Sequence, residues 1–196
     1  GFNDDNFLDD YEIQELINRF ENQLESGMPL FFDADELNII LEHYVQKNDI
    51  PKINIIADLA STYHTTNPLT NLIMAKKYLS VQDASNALPY LLDETNNTED
   101  ADYQLSLGYC YSLLEEHKRS LSAYKKAIKL LEKENCDDIY NSMAVEYMLL
   151  RDFERALYYF KKGLNASPDI AEQYAEITNC YFFLDRADEA IEFFKG

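Results

Sequence analysis

The sequence is poor in the residues that interrupt helices. Its 196 residues include only five glycines and five prolines. This scarcity argues against a turn-rich β-sandwich or barrel and favours long, uninterrupted helices. Because 46% of the residues are hydrophobic, the chain can bury a core, and we expect an ordered all-helical protein.

The sequence also lacks the residue clusters that carry enzyme chemistry. No two glycines are close enough for a phosphate-binding loop, and no HExxH zinc motif is present. The histidines, His43, His64 and His117, lie far apart, and we expect structural roles for them. Carboxylate pairs mostly mark helix starts, where the helix dipole favours negative charge. We therefore expect no enzyme activity, no catalytic residue, no metal ion and no cofactor.

Cysteines are too few and too scattered for a disulfide framework or a zinc site. Cys110, Cys136 and Cys180 make an odd count without a CxxC pair, so we expect quiet, partly buried thiols and a reducing, cytoplasmic location. No apolar run approaches the roughly 20 residues that span a bilayer, and no signal peptide is evident. The chain begins at Gly1 and stops within a helical pattern, so both ends look like cut points, and a removed targeting segment is compatible with this sequence.

Basic residues are far fewer than acidic ones. The 17 Lys and Arg residues against 36 Asp and Glu residues give a net charge of −19. This charge repels phosphate backbones and anionic membranes at long range, so we expect neither nucleic acid nor membrane as a partner. Two explanations stay open: the charge keeps the protein soluble, or it attracts a basic partner.

What the sequence does contain is a repeat of about 34 residues. Position seven of the repeat is apolar throughout, and positions eight and twenty are mostly small. Position eleven is always tyrosine: Tyr44, Tyr78, Tyr111, Tyr147 and Tyr181. The five repeats, the last one truncated, fill residues 34–196 and start at Ala34, Pro68, Ala101, Asp137 and Ala171.

This pattern resembles the tetratricopeptide repeat, which has small residues at positions 8, 20 and 27, tyrosine at 11 and an aromatic residue at 24. The fourth repeat matches best, through Ala144, Tyr147, Ala156, Phe160, Gly163 and Pro168. Repeats one and two are degenerate, and Ile53, for example, fills a small position. The acidic, tyrosine-rich style is similar to tetratricopeptide proteins of Bacteroidetes. The resemblance implies an all-α, right-handed superhelical solenoid of helical hairpins, with about eleven helices.

Residues 1–33 are predicted to form an N-terminal capping helix and a linker. Gly27 and Pro29 are stop signals, and Asp33 with Glu36 forms a capping-box start for the first repeat. Pro89 predicts a late start or a kink in the second helix of repeat two. The apolar side of the capping helix is Phe7, Leu8, Tyr11, Leu16, Ile17, Phe20 and Leu24.

The resemblance also implies that the first helix of each repeat lines a concave groove. The groove's acidic rim would be Asp35, Asp102, Asp138 and Glu172. Its partner-binding residues would be Leu72, Lys76, Leu105, Tyr109, Asn141, Val145, Met148, Asn179 and Phe182. In the alternative interpretation, the acids are helix-start residues and the apolar side chains pack against neighbouring repeats. The pattern of a C-terminal carboxylate clamp is not reproduced.

Two functions follow as hypotheses. The first is a protein-protein interaction scaffold that binds a peptide or partner segment with basic and apolar side chains in the groove. The second is a structural module of a longer repeat protein, which associates through its exposed C-terminal end and forms a homodimer. More repeats or another domain are then expected after residue 196, because a solenoid needs a capped end.

Overall fold

A computed structural model describes residues 8–164 and 170–196. These residues form eleven helices and no strand, which confirms the predicted all-helical fold. The helices are α1 (Asp10–Ser26), α2 (Ala34–Gln46), α3 (Ile50–Tyr63), α4 (Pro68–Leu79), α5 (Ala84–Leu91), α6 (Ala101–Leu113), α7 (His117–Leu130), α8 (Asp137–Leu149), α9 (Phe153–Lys162), α10 (Ile170–Phe183) and α11 (Ala187–Lys195).

The chain divides into two compact units, each with its own apolar core. Unit 1 ends at Asn96 and contains α1 to α5; unit 2 begins at Asn97 and contains α6 to α11. The core of unit 1 gathers around Phe20 and Tyr44, and that of unit 2 around Met143 and Phe160. Each unit therefore buries apolar side chains of its own helices, as expected when hairpins pack on their neighbours.

The N-terminal helix ends at Gly27, as the sequence predicts, and starts at a capping box that was not predicted. Asp9 and Glu12 form a capping box at its start, and Gly27 ends it in a left-handed conformation with φ of 66°. Leu16, Ile17 and Phe20 are buried, and the Phe20 ring centroid lies 5.6 Å from that of Tyr44 in α2. The prediction was wrong for Tyr11, which is exposed because it lies on the solvent side of α1. Phe7 and Pro168 lie outside the described residues.

The first helix of each hairpin ends in the same turn. The residue four positions after the repeat tyrosine is left-handed, with φ between 53° and 60°, and none of the five is glycine: Asn48, Gln82, Glu115, Arg151 and Asp185. The next backbone N–H donates to the carbonyl of the repeat tyrosine at 2.9 to 3.0 Å. This is a Schellman motif.

The residue that completes this turn also begins the second helix. Asp49, Asp83 and Asp152 each accept a side-chain hydrogen bond from the backbone N–H three residues on. Glu116 and Arg186 occupy the same place and make no such bond. Many acidic residues are therefore helix caps, as expected.

Each repeat tyrosine packs its ring against the second helix of its own hairpin. The closest ring pair is Tyr147 with Tyr159, whose parallel rings have centroids 5.5 Å apart. Tyr78 and Tyr181 contact the rings of Tyr90 and Phe193. Cations of Lys52 and Arg119 lie over the rings of Tyr44 and Tyr111. The tyrosines are thus packing residues.

Small residues let the two helices of a hairpin cross closely. Ser120 Oγ donates to the carbonyl of Gly108 at 2.8 Å, and a Cβ on Gly108 would lie 2.7 Å from the Tyr124 ring. No larger residue fits at this position unless Tyr124 moves.

Of the late start or kink that Pro89 predicts for α5, the late start was wrong, and the kink stays a prediction. The helix begins at Ala84, directly after its cap Asp83, and includes Pro89. It ends at Leu91, two residues beyond the proline, and is the shortest of the helices described. Capping by Asp83 explains the early start. Pro89 lacks the N–H that would bond to a carbonyl of the first turn, and the helix ends soon after it.

Candidate functional site

The predicted partner-binding residues fall into two sets. Leu72 and Lys76 lie on α4 in unit 1. The other seven lie on the first helices of unit 2, which are α6, α8 and α10. The two sets differ in exposure.

The two predicted residues of unit 1 are buried. Lys76 is only 7% exposed, and its Nζ donates to Asn38 Oδ1 at 3.0 Å and pairs with the carboxylate of Glu42. Leu72 is also buried. Lys76 therefore links α4 to α2 inside unit 1, and neither side chain presents a surface to a partner.

The unit 2 set is open at several places. Tyr109 and Val145 are 40% and 42% exposed, and Phe182 is 76% exposed. Asn179 is exposed as well, whereas Leu105 and Met148 are half-buried at the edge of the core. We call these six residues the inner face of unit 2.

Asn141, the seventh predicted residue of unit 2, is already engaged. Its Nδ2 donates to the carbonyl of Gly163 at 3.1 Å, and its Oδ1 accepts from Gln173 Nε2 at 2.6 Å. A Cβ on Gly163 would lie 2.1 Å from Asn141 Oδ1, so the glycine makes room for this amide. Asn141 therefore joins α8 to α10, and we leave it out of the inner face.

A second link joins α8 to α6, and sequence reasoning missed it. Glu146 is only 2% exposed; its carboxylate accepts a hydrogen bond from Ser112 and lies 2.6 Å from His117 Nδ1. The signal was available, because Glu146 is a lone acid between Val145 and Tyr147 in an apolar stretch. With Asn141, it holds α6, α8 and α10 side by side.

Charge is separated between the helices of unit 2. The three first helices carry six acidic residues and no lysine or arginine. In contrast, α7 carries five lysines and arginines and no acidic residue. The inner face therefore lies in an acidic surrounding, although part of that charge serves the helix starts.

A cleft of about 1080 Å³ lies between α1 and α2 in unit 1. Five of its thirteen lining residues are acidic, among them Glu15 and Asp35, and Arg19 is bonded to Glu36 at 2.8 Å. Asp35 was predicted as a rim residue, and the cleft itself was not predicted. Most of its carboxylates belong to capping boxes, which accounts for their clustering.

The cysteines are free and buried. Burial raises the pKa of Cys110 and Cys180 to about 11, so both remain thiols at neutral pH. Among the residues described, no cluster of His, Cys, Asp and Glu side chains is suited to a metal ion. Over the same ranges, no helix combines the length and hydropathy needed to cross a membrane.

The helical hairpins of each unit and the linked first helices of unit 2 define a helical repeat fold. The tetratricopeptide repeat family matches residues 101–132 and 137–170, both in unit 2. No curated protein sequence matches the chain.

Solved structures support the same fold. The crystal structure of MamA is 21% identical, with a TM-score of 0.64 over 85% of this chain and 93% of that one. TTC0263, a tetratricopeptide protein of Thermus thermophilus, is 18% identical, with a TM-score of 0.63 over 88% and 92% of the two chains. BtubC from P. vanneervenii is 14% identical, with a TM-score of 0.60 over 92% and 87%. The fold is thus that of tetratricopeptide proteins.

Proposed function

We propose that the protein is a non-catalytic interaction scaffold that holds a segment of a partner polypeptide on the inner face of unit 2. The observation that carries the proposal is the exposure of Tyr109, Val145 and Phe182 on three helices tied side by side. Aromatic and apolar side chains on a firm surface are the usual anchors of protein interfaces.

Charge indicates the chemistry of the partner segment. The inner face is apolar, and its helices carry acidic residues without any lysine or arginine. A segment that presents apolar side chains flanked by lysine or arginine complements both properties. Asn141 is not part of the proposed binding surface, because its amide is engaged by Gly163 and Gln173.

The test replaces one inner-face residue by a charge and uses a matched control. Val145→Lys places an ammonium on the inner face, where Val145 is 42% exposed. Val81→Lys makes the same change at an exposed site of unit 1. Partners are captured from the source cells with the wild type and both variants, identified by mass spectrometry, and then titrated in purified form.

We expect Val81→Lys to retain the partners and Val145→Lys to lose them, with affinity reduced about tenfold or more. Circular dichroism melting checks that both variants fold equally well. If Val145→Lys binds the same partners with unchanged affinity, the inner face is not the binding site.

Self-association through α11 is the competing proposal. That helix buries none of its residues, and Ile191 and Phe194 are about half exposed. Sedimentation over a wide range of concentrations separates the two proposals: a monomer throughout counts against self-association and leaves the inner-face test untouched.

We also propose five repeats that start from residue 34. A cytoplasmic location is part of the same proposal, because free thiols suit a reducing compartment.

A further inference from the structure

A second surface of unit 2 has the opposite charge from the inner face. Lys118, Lys125 and Lys129 follow one another along α7 at spacings of seven and four residues, so they share one side of the helix. All three are exposed. Within the described part of the chain, no carboxylate pairs with any of them, whereas neighbouring Arg119 and Lys126 pair with Glu116 and Glu99.

This lysine stripe borders a cleft of about 680 Å³ between α7 and α9. Lys118 and Lys125 line one side, and Arg155 lines the other. Lys125 Nζ and the Arg155 guanidinium lie 5.7 Å and 5.9 Å from the centroid of the Tyr147 ring. The ring therefore holds two cations near each other across the cleft.

The floor of the cleft is apolar. Leu121 and Tyr147 are buried there, and Leu150 is 36% exposed. The only acidic residue in the lining is Asp152, which is bonded to Arg155 at 2.5 Å and also caps α9. An apolar floor bordered by two unpaired lysines, with Arg155 on the opposite side, fits a side chain such as leucine flanked by carboxylates.

We propose that this cleft, which we call the basic cleft, binds an acidic and apolar segment of a second polypeptide, independently of the inner face. Unpaired lysines are notable in a protein with a net charge of −19, because acidic partners for them are abundant. A polypeptide is favoured over nucleic acid or an anionic membrane, since the net charge repels extended polyanions and a phosphate backbone makes no use of the apolar floor.

The probe for the test is a short fluorescein-labelled peptide of alternating glutamate and leucine. A peptide with glutamine in place of glutamate is its control. Fluorescence anisotropy measures the binding of both peptides to the wild type, to Lys118→Gln/Lys125→Gln and to Lys133→Gln/Lys195→Gln. The last variant removes the same charge from exposed lysines of unit 2 outside the cleft.

We expect the acidic peptide to bind the wild type and the control variant, and the cleft variant to bind it about tenfold more weakly because two exposed charge pairs are lost. Added salt should weaken the binding. Val145→Lys should leave it unchanged, so failure of the inner-face proposal would leave the basic cleft intact.

Three outcomes would overturn the proposal. If both double variants weaken binding of the acidic peptide equally, the binding reflects general charge attraction and not the basic cleft. Binding to phosphatidylserine vesicles, lost in the cleft variant while the peptide fails to bind, would assign the cleft to a membrane. Self-association that is lost only in the cleft variant would assign it to a second copy of the chain.

Discussion

The two units use the same helical hairpins but treat their first helices differently. In unit 1, the side chain at repeat position nine is Lys76, which is buried and bonds to Asn38 and Glu42. In unit 2 the same position holds Tyr109 and Val145, which remain about two-fifths exposed. In unit 2, Glu146 and Asn141 make the polar links between helices instead.

This difference shows how one scaffold separates cohesion from recognition. A polar link on the inner side of a hairpin joins it to its neighbour but covers the surface that a partner would use. When a buried residue such as Glu146 makes the link, the exposed residue beside it remains available to a partner. The inner face of unit 2 therefore depends on buried polar groups that touch no partner.

The largest expected effect comes from weakening the link in each unit. Glu146→Gln should lower the free energy of unfolding by about 2 kcal/mol, because its buried carboxylate serves both Ser112 and His117. Glu42→Gln should cost less than about 1 kcal/mol, because the Glu42 carboxylate is half exposed and water replaces part of the pair. Urea unfolding of the two variants checks this, and equal losses would contradict the distinction by burial.

The cysteines offer a second contrast, since all three lie in unit 2. Burial raises the pKa of Cys110 and Cys180 to about 11, above that of an unfolded thiol. Above the unfolded pKa the unfolded thiols ionise while the buried ones stay protonated, so the unfolded state binds fewer protons and the free energy of unfolding falls as the pH rises. For a thiol kept neutral by burial, ionisation of the unfolded chain therefore lowers stability from about pH 9 to 11.

Urea unfolding at pH 8 and pH 10.5 measures this loss. The wild type should lose more stability between the two pH values than Cys110→Ala/Cys180→Ala does, because the variant lacks the two buried thiols whose pKa is raised to about 11. An identical loss in both proteins would argue against thiol burial as the cause. Iodoacetamide labelling at pH 8 should be slow until unit 2 opens.

The smallest expected effect concerns the helix caps. Both second helices of unit 1 begin at an aspartate that accepts a backbone hydrogen bond, whereas α7 in unit 2 begins at Glu116, which accepts none. Glu116→Asp should therefore raise stability by about 0.5 to 1 kcal/mol, and Asp152→Ala should lower it by a similar amount. Thermal melting compares the two, and a stability loss in Glu116→Asp would contradict the shared turn geometry.

The sequence was sufficient for the features that repeat. Periodic tyrosines and small residues predicted the hairpins and their packing, because these contacts lie within one hairpin and recur at fixed spacing. The capping boxes at Asp9 and Asp33 follow from contacts three residues apart, of which only the second was predicted. The resemblance to Bacteroidetes proteins stays a prediction.

The candidate site was less predictable, because its side chains are determined by residues one repeat away. Lys76 was expected to face a partner, but Glu42, 34 residues earlier, captures it. Asn141 is engaged by Gln173, 32 residues later. Only a three-dimensional arrangement shows which polar side chains are used between hairpins and which remain for a ligand. The lysines of α7 can be read from the sequence, but the net charge of the whole chain gives no indication of them.

The five hairpin turns also determine where the chain can change its length. One residue closes the first helix and begins the second, so nothing can be inserted between the repeat tyrosine and the start of the second helix without breaking the turn. The links between hairpins carry no such constraint and differ in length, as residues 64–67, 92–100 and 131–136 show. Insertions, tags and grafted loops will be tolerated in those links, while each hairpin is inherited or replaced as a whole.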